Sequence, residues 1–314
     1  MPDRLPSGMG ERVRIYWRLG RPFTMVAPAL GMVSGAITAL GSAGGPAFAT
    51  VMLWRMLGGA FMAALLNTAS NVLNQITDLD NDRINKPDRP IPSGMVTVRE
   101  AWMLSISSYV LALVVAYVIS PPGTYYACFI CALIAAVATY VYSAPPFRTK
   151  RFGWWANLTI ATPRGLFLKV AGWSVILAPA TPEPWFIGLV FFLFLLGAAS
   201  TKDFSDMKGD EAAGCRTLPI VHGVRKTAWM MSPSFVVPFL MIPIGVHTGI
   251  LTGNAVALDL LGLVLSVWGA YVVYLIVRKP EELATVENHV SWKHMYLMMF
   301  VAQVGFAAAY LVPR

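Results

Sequence analysis

The sequence has few charged residues, few cysteines and few histidines for its length. Only 13% of its 314 residues are charged, 56% are hydrophobic, and the mean hydropathy is +0.60. This composition excludes an ordinary soluble domain and is typical of a protein with many membrane-spanning segments. The three cysteines, two of them three residues apart in one apolar stretch, do not form a disulfide framework. The four histidines are scattered and complete no set of transition-metal ligands.

Nine apolar stretches approach the ~20 residues that a helix needs to cross the hydrocarbon layer. No linker interrupts them, so we predict a single all-α membrane domain over residues 1–314. A polar, arginine-rich segment, residues 1–23, precedes them and is interpreted as a cytoplasmic amphipathic arm. The predicted spans are 24–42, 50–76, 100–119, 123–143, 155–179, 184–201, 226–248, 255–277 and 292–312.

The distribution of basic residues predicts the orientation of the chain. If the N-terminus is cytoplasmic, 20 of the 24 lysines and arginines fall on that side. Positive charge marks cytoplasmic loops, so this orientation is favoured, and nine spans then place the C-terminus on the opposite side. The net charge of +8 is explained by topology and by contact with anionic membrane lipid, and we expect no nucleic-acid partner.

The acidic residues are concentrated in two short regions, each at the cytoplasmic end of a predicted span. The first runs from Asn74 to Asp82 and the second from Asp203 to Glu211; together with Asp88 they contain eight of the 16 acids. Crowded carboxylates repel one another and resist desolvation, so they indicate a bound cation. An oxygen-only ligand set suits Mg²⁺, and Mg²⁺ binds phosphate oxygens. We therefore expect a Mg²⁺ cofactor and a diphosphate substrate.

Helical spacing predicts that each acidic region presents one row of polar side chains. At 100° per residue the first row falls within an arc of about 80° and the second within about 60°. Helix capping and solvated loop charge are the alternative, and they account poorly for two rows that each keep to one face. For Asn67 and Asn71, hydrogen bonding between helices is an equal alternative. The rows are Asn67, Asn71, Asn74, Asp78 and Asp82, and Asp203, Asp206 and Asp210.

Similar sequences follow the two acidic regions. An Arg-x-x-Pro element begins at Arg89 after the first region and at Arg216 after the second. An Ala-Trp pair stands 12 and 13 residues after each of these arginines. The pattern indicates an ancestral duplication of four-helix units, and chance similarity over so few matches is the alternative. A duplication predicts a site at the interface of the two halves.

Three sequence elements together resemble the signatures of the UbiA superfamily of intramembrane prenyltransferases. They are Asn74-x3-Asp78-x3-Asp82, the Arg89-Pro-Ile-Pro-Ser-Gly loop, and Asp206-x3-Asp210 ahead of Gly214. The resemblance covers nearly the whole chain and implies nine helices in a ring around a central cavity that opens laterally to lipid. It also implies Mg²⁺-dependent ionisation of a prenyl diphosphate and alkylation of a hydrophobic acceptor, such as a quinone precursor, a chlorophyllide-like compound or a lipid.

The same resemblance assigns roles to individual residues. Tyr142 and Lys150 match a tyrosine-to-lysine element that the family uses near the diphosphate, and Arg21 resembles its first-helix arginine. The sequence departs from the family pattern at Gln75, where many members have aspartate, and at Asp80, an extra acid within the motif. The metal ligands expected from the motifs and the helical rows are Asn74, Asp78, Asp82, Asp203, Asp206 and Asp210. The catalytic residues expected are Asp78, Asp82, Asp206, Asp210 and Lys150.

Basic and polar residues near the motifs are further candidates for substrate binding. Arg164 and Lys169 lie within a predicted span, where a charge costs about 3 kcal/mol on insertion scales. We expect Lys169 to pair with Asp259, and we expect Arg164, which follows the helix-loosening Pro163, to face the cavity and bind an anionic acceptor group or the diphosphate. The substrate-binding residues expected are Asn71, Asn74, Arg21, Arg89, Tyr142, Arg148, Arg164 and Lys208.

In the expected reaction, Mg²⁺ and basic side chains stabilise the departing diphosphate, and the acceptor attacks C1 of an allylic carbocation. Aromatic faces at Tyr140, Tyr142 and Trp154-Trp155 are candidates to shield this cation, although an interfacial belt explains the tryptophan pair better. Two alternatives remain open at this stage. A terpene cyclase uses the same acids without an external acceptor. A divalent-cation transporter requires acids along a path to the outer face, where Asp259 alone lies in an outer half-span.

Overall fold

The computed structural model describes residues 8–286 and 289–313, without the side chains of Ile84 and Asn85. These residues are helical except for connecting loops and one isolated backbone bridge between Phe152 and Arg216. The prediction of an all-α membrane protein is confirmed. Residues 1–7 of the predicted arm lie outside the described part of the chain.

Seven continuous helical stretches are long and apolar enough to cross a membrane, and they coincide with seven of the nine predicted spans. The fourth predicted span forms a shorter apolar helix, and the fifth is an interrupted helix. By length and composition, the count of nine is therefore not confirmed in the described residues. The seven stretches are Pro22–Gly41, Thr50–Thr77, Val98–Ile119, Pro182–Thr201, Val224–His247, Ala255–Val277 and Val290–Leu311.

Sixteen α-helices are named in chain order. The first eight are α1 (Met9–Gly20), α2 (Val26–Gly41), α3 (Thr50–Thr77), α4 (Leu79–Asn85), α5 (Val98–Ile119), α6 (Ala127–Ser143), α7 (Gly153–Ala161) and α8 (Leu168–Ser174). The others are α9 (Pro182–Ala198), α10 (Asp203–Ala212), α11 (Leu218–His222), α12 (Val224–Met231), α13 (Pro233–His247), α14 (Ala255–Val277), α15 (Glu282–Thr285) and α16 (Val290–Leu311).

The long helices pack in chain order and close into a ring. Contacts run from α2 to α3, α5, α6 and the α7–α8 pair, and continue through α9, α13, α14 and α16. The last of these helices, α16, packs against α2 and completes the circuit. Within the ring α8 also packs tightly on α2, where a Cβ added to Gly172 would lie 2.5 Å from the Met32 carbonyl oxygen. Such close approach of helix backbones is typical of small residues in membrane proteins.

The fifth predicted span is broken by a π-helical stretch, Thr162–Phe167, between α7 and α8. Pro163 lies in this stretch, and proline has no N–H to donate to the preceding turn. The wider turn carries Arg164 in the middle of the span. Single π turns within helices are frequent at functional sites.

The expected pair between Lys169 and Asp259 does not form. The Lys169 side chain is almost fully buried, donates to Ser34 Oγ at 2.9 Å and lies 4.4 Å from the centre of the Phe191 ring. Asp259 instead lies 3.2 Å from His247. The prediction was wrong because α8 faces α2 and α9, whereas Asp259 lies on α14.

The described part of the predicted arm is α1, and one of its faces packs on the body of the protein. Ile15 and Leu19 are buried in a small apolar cluster with Val72 of α3. Val13 and Trp17 remain 63% and 60% exposed and face away from that cluster. This arrangement agrees with an amphipathic helix that lies beside the spans.

Candidate active site

The first acidic region bends at Asp78. α3 ends at Thr77, Asp78 has φ −102° and ψ 10°, and α4 begins at Leu79. Backbone hydrogen bonds still link Asp78 to Asn74 at 3.0 Å and Asp82 to Asp78 at 2.7 Å. The three motif residues therefore keep their spacing of four residues, although the predicted row spans two helices.

Asp78 is held by two cations from the loop that follows α6. Its Oδ1 accepts from Lys150 Nζ at 2.5 Å and from Arg148 Nη2 at 2.9 Å. Lys150 also donates to Asn74 Oδ1 at 3.0 Å, so it connects the first two residues of the motif. Burial lowers the pKa of Lys150, whereas the adjacent Asp78 raises it. The Arg148 Nε is buried and has no hydrogen-bond acceptor among the described residues, which leaves a donor for a ligand.

Asp82 has a separate basic partner. Its carboxylate is 4% exposed and in direct contact with the guanidinium of Arg89, which comes from the Arg-Pro-Ile-Pro loop. Arg21 lies within electrostatic range of Asp82, Asp206 and Asp78, at the junction between α1 and α2. Arg21 thus lies near acids of both regions.

The second acidic region lies on α10 and faces the first. Asp206 Oδ2 lies 3.9 Å from Nζ of Lys86, four residues after the first region, and 3.8 Å from Nζ of Lys202, one turn earlier on its own segment. Lys208, an expected substrate-binding residue, is exposed and takes no part in these pairs. The two regions therefore lie together, with basic side chains between their carboxylates.

Negative charge is crowded on α10. Burial raises the pKa of Asp203 to about 8, and the neighbouring Asp210 and Asp206 add to this effect. Burial likewise raises the pKa of Asp210 to about 6, with Asp206 as the next cause. Carboxyl groups that repel each other in this way bind a divalent cation with release of protons.

A cavity between α2, α3, α6 and the broken helix contains about 550 Å³ of space free of protein atoms, part of it open to the surroundings. Its walls are mainly apolar, and Arg164 is the charged residue among those that line it. Tyr142, at the end of α6, lies within electrostatic range of Asp203, Arg164, Asp78 and Asp210. Arg164 thus faces the cavity, as expected from the sequence. The walls include Met32, Met62, Leu66, Ala135, Phe167 and Leu168.

The four aromatic side chains expected near the reacting group are in different surroundings. Of the four, Tyr142 lies within electrostatic range of acids of both regions. Tyr140, Trp154 and Trp155 are 46%, 44% and 64% exposed on the outside of the helices. The interfacial interpretation of the tryptophan pair is the one that this exposure favours.

The donor chemistry of the site fits an oxygen-binding divalent cation. Within residues 8–286 and 289–313, no three Asp, Glu, His or Cys side chains converge closely enough to hold a metal ion by themselves. Mg²⁺ needs only one or two carboxylates when substrate phosphates supply further ligands. The carboxylates of both regions and the carboxamide of Asn74 are suitable donors for this mode.

Sequence reasoning missed several residues that contact the predicted ones. Thr77 accepts from Arg148 through its carbonyl oxygen, 2.9 Å away, and Ser143 Oγ lies 3.4 Å from Asn74 Oδ1. The i, i+4 spacing of Lys202 and Asp206 in the sequence could have predicted their ion pair. No sequence pattern predicts the contacts of Thr77 and Ser143, because they depend on how α3 and α6 pack.

Comparison with known proteins gives one consistent result. The model of the UbiA prenyltransferase family matches residues 29–292. The bacteriochlorophyll synthase 34 kDa chain of Chloroflexus aurantiacus is 32% identical over 236 residues, which cover 73% of each chain. The digeranylgeranylglyceryl phosphate synthase of Methanoculleus marisnigri is 32% identical over 68% of this chain and 71% of its own. A UbiA homologue from Archaeoglobus fulgidus, solved with GPP and Mg²⁺, superposes with a TM-score of 0.74 at 20% identity, covering 95% of this chain and all of the homologue.

Proposed function

Because the chain belongs to the UbiA prenyltransferase family and is thus an enzyme that transfers prenyl groups, we propose a specific reaction for it. It transfers the prenyl group of a prenyl diphosphate, with Mg²⁺, to a hydrophobic acceptor that carries an anionic group. The reaction takes place where the two acidic regions meet, and this end of the ring faces the cytoplasm. The positive-inside distribution of lysine and arginine supports that orientation.

The observation that carries this proposal is the alternation of acids and bases across the two regions. Asp78 is paired with Lys150 and Arg148, and Asp206 lies near Lys86, which follows the first region. A diphosphate with bound Mg²⁺ carries both signs of charge, so it fits such a surface. Arg148 and Lys150 bind its oxygens, while the carboxylates bind the metal.

Mg²⁺ held by the carboxylates of the two regions would neutralise negative charge on the departing diphosphate. The chain supplies the remaining stabilisation through Arg89 and Lys150, which are held in place by Asp82 and Asp78 and so need little rearrangement during the reaction, while Arg21 binds the diphosphate. The proposed metal ligands are Asn74, Asp78, Asp82, Asp203, Asp206 and Asp210.

The cavity accommodates the prenyl tail, and Arg164 sets a requirement on the acceptor. A charged residue that lines a mainly apolar cavity is stabilised by an anionic partner. The relatives named above are a bacteriochlorophyll synthase and a digeranylgeranylglyceryl phosphate synthase, and these names indicate a pigment and a phosphate compound. We therefore propose a carboxylate or a phosphate group on the acceptor.

Product analysis with purified protein tests the reaction. The protein is incubated in lipid nanodiscs with Mg²⁺, C10 to C20 prenyl diphosphates, and chlorophyllide, glycerol-phosphate or phenolic acceptors. The products are then identified by mass spectrometry. We expect a prenylated product with an anionic acceptor and none after EDTA. Cyclised hydrocarbon without any acceptor, or no consumption of prenyl diphosphate in any mixture, would contradict the proposal.

A further inference from the structure

The junction between α1 and α2 is a sharp elbow, defined here as residues 19–24. At this point α1 ends, Arg21 takes up a left-handed conformation with φ 55° and ψ 68°, and a short 3₁₀ turn, Pro22–Met25, leads into α2. A left-handed backbone is uncommon for a residue with a side chain, and it persists only where the surroundings fix it.

Three carboxamides on one face of α3 fix the elbow. They are spaced four residues apart, so they lie one above the other along the helix. The Gln75 amide donates to the Leu19 carbonyl oxygen at 2.8 Å, and the Asn71 amide donates to the Gly20 carbonyl oxygen at 3.1 Å. The third carboxamide, Asn67, donates to the hydroxyl of Thr24 at 2.8 Å.

Thr24 joins these contacts to Arg21. Its hydroxyl accepts from Asn67 and Asn71, and it donates to the Arg21 carbonyl oxygen at 2.8 Å. One donated and two accepted hydrogen bonds use the full capacity of a hydroxyl group. The Thr24 N–H donates to the same carbonyl at 2.9 Å. The carbonyl groups at the end of α1, which a helix cannot pair internally, are thereby satisfied from α3 and the elbow.

We propose that Asn67, Asn71 and Gln75 are positioning residues that place the guanidinium of Arg21 in the diphosphate site. The inference rests on the proposed function, because the acids around Arg21 belong to that site. The backbone beside Arg21 is hydrogen-bonded to side chains of α3, and α3 also carries Asn74. The carboxamides therefore fix the distance between a substrate-binding cation and the first metal-binding motif. Asn71, which was expected to bind substrate, acts through Arg21 in this proposal.

The proposal also explains why glutamine stands at position 75. Its side chain is 2% exposed, and its amide nitrogen faces two backbone carbonyl oxygens, those of Leu19 and Asn71. An ionised aspartate at this place has no hydrogen to donate and would repel both oxygens. In this chain position 75 thus belongs to the elbow, whereas Asn74 one residue earlier points towards Lys150.

Steady-state kinetics of Gln75→Leu tests this role. We expect the KM for the prenyl diphosphate to rise about tenfold, with kcat within about twofold of the wild type, because the reacting groups on α3 and α10 are unchanged. Gln75→Glu, which keeps the length of the side chain and removes the N–H donors, is the second variant and serves if the leucine protein does not fold. In an Arg21→Gln background neither substitution should raise KM further, since the residue being positioned is gone.

Ser105→Ala is the matched control. Ser105 is as buried as Gln75 and donates to a backbone carbonyl of the same helix, that of Ala69, at 2.9 Å from the side of α5. Loss of the Ser105 hydroxyl should lower the thermal stability about as much as Gln75→Leu does, without a change in the KM for the prenyl diphosphate. An equal rise in KM in Ser105→Ala, or a rise in Gln75→Leu that persists in the Arg21→Gln background, would overturn the positioning role.

Hydrogen–deuterium exchange separates this inference from the proposed reaction, because it needs no turnover. The amide hydrogens of Arg21 and of residues 23–25 should exchange faster in Gln75→Leu than in the wild type, and at the wild-type rate in Ser105→Ala. Unchanged exchange in Gln75→Leu would reject the elbow as the affected element. A wild-type protein without turnover but with this exchange pattern would reject only the proposed function.

Discussion

Lys86 Nζ lies 3.9 Å from Asp206 Oδ2, although Lys86 follows the first acidic region and Asp206 belongs to the second. The contact brings the loop after α4 against α10, more than a hundred residues later in the chain. Neither region alone surrounds a ligand with both acids and bases. Because the two regions lie close together, a diphosphate and its metal can be bound from both sides.

Replacing Asp78 with asparagine should lower turnover by at least ~100-fold, comparable to the loss of one main electrostatic contact in an active site. The carboxamide keeps an oxygen for Lys150 and Arg148 but loses the negative charge that binds metal. Rates are measured in nanodiscs at saturating Mg²⁺. Asp80→Asn is the control, because the Asp80 side chain is 96% exposed and contacts only Arg83 among the pairs described. Equal effects of the two substitutions would remove Asp78 from the catalytic set.

The stabilisation that Mg²⁺ gives to the protein should grow with pH. Asp203 and Asp210 have raised pKa values in the folded protein, about 8 and about 6. A carboxyl group whose pKa is raised on folding stabilises the folded state at pH values below its pKa in the unfolded chain, near 4. This contribution is lost as the pH rises through its pKa in the folded protein. Without Mg²⁺, thermal stability should therefore fall between pH 5 and pH 8. Mg²⁺ binds the ionised carboxylates, so its effect on Tm should be small at pH 5 and large at pH 8.

The control for this pH dependence is the double variant Asp203→Asn, Asp210→Asn. It removes both titrating groups, so its Tm should change less between pH 5 and pH 8, and the added effect of Mg²⁺ should be reduced at pH 8. A wild-type response to Mg²⁺ that is equal at the two pH values would contradict the assignment of these carboxylates as metal ligands.

Arg164→Leu should raise the KM for an anionic acceptor by about tenfold and leave the Mg²⁺ requirement unchanged. The guanidinium is the charged group that lines the cavity, so its loss removes a charge-assisted contact with a carboxylate or phosphate. The KM for a neutral phenolic acceptor should change little in the same variant. If KM for the prenyl diphosphate rises and KM for the acceptor does not, Arg164 binds the diphosphate instead.

A larger side chain at Ala135 should shorten the prenyl group that the enzyme accepts. Ala135 lines the cavity on α6, so Ala135→Phe reduces the space for the far end of a long tail. We expect kcat/KM with the C20 diphosphate to fall at least ~10-fold relative to the C10 compound, in the range that one pocket contact contributes. Val137→Phe is the control, because Val137 lies on the same helix with 55% of its surface exposed. An equal loss of kcat/KM for the C10 and C20 diphosphates would mean that the prenyl tail does not lie beside Ala135.

Much of the arrangement could be predicted because apolar length, basic loops and motif spacing are local properties. The positions of seven spans and the concentration of acids at helix ends follow directly from the sequence. The partner of Lys169 could not be predicted, because Ser34 lies 135 residues away and on no related motif. The exposure of Lys208 also depended on tertiary structure, since α10 directs Asp206 towards Lys86 and Lys202 instead.

The sequence by itself determined that this is a helical membrane protein with two carboxylate-rich regions and a resemblance to prenyltransferases. Only the tertiary structure decided which basic residue meets which acid, which helices form the cavity that Arg164 faces, and that Gln75 holds the backbone near Arg21. The physical reason is the range of the interactions. Burial in a bilayer and helical spacing act over a few residues, whereas ion pairs and interhelical hydrogen bonds form only after the ring has closed.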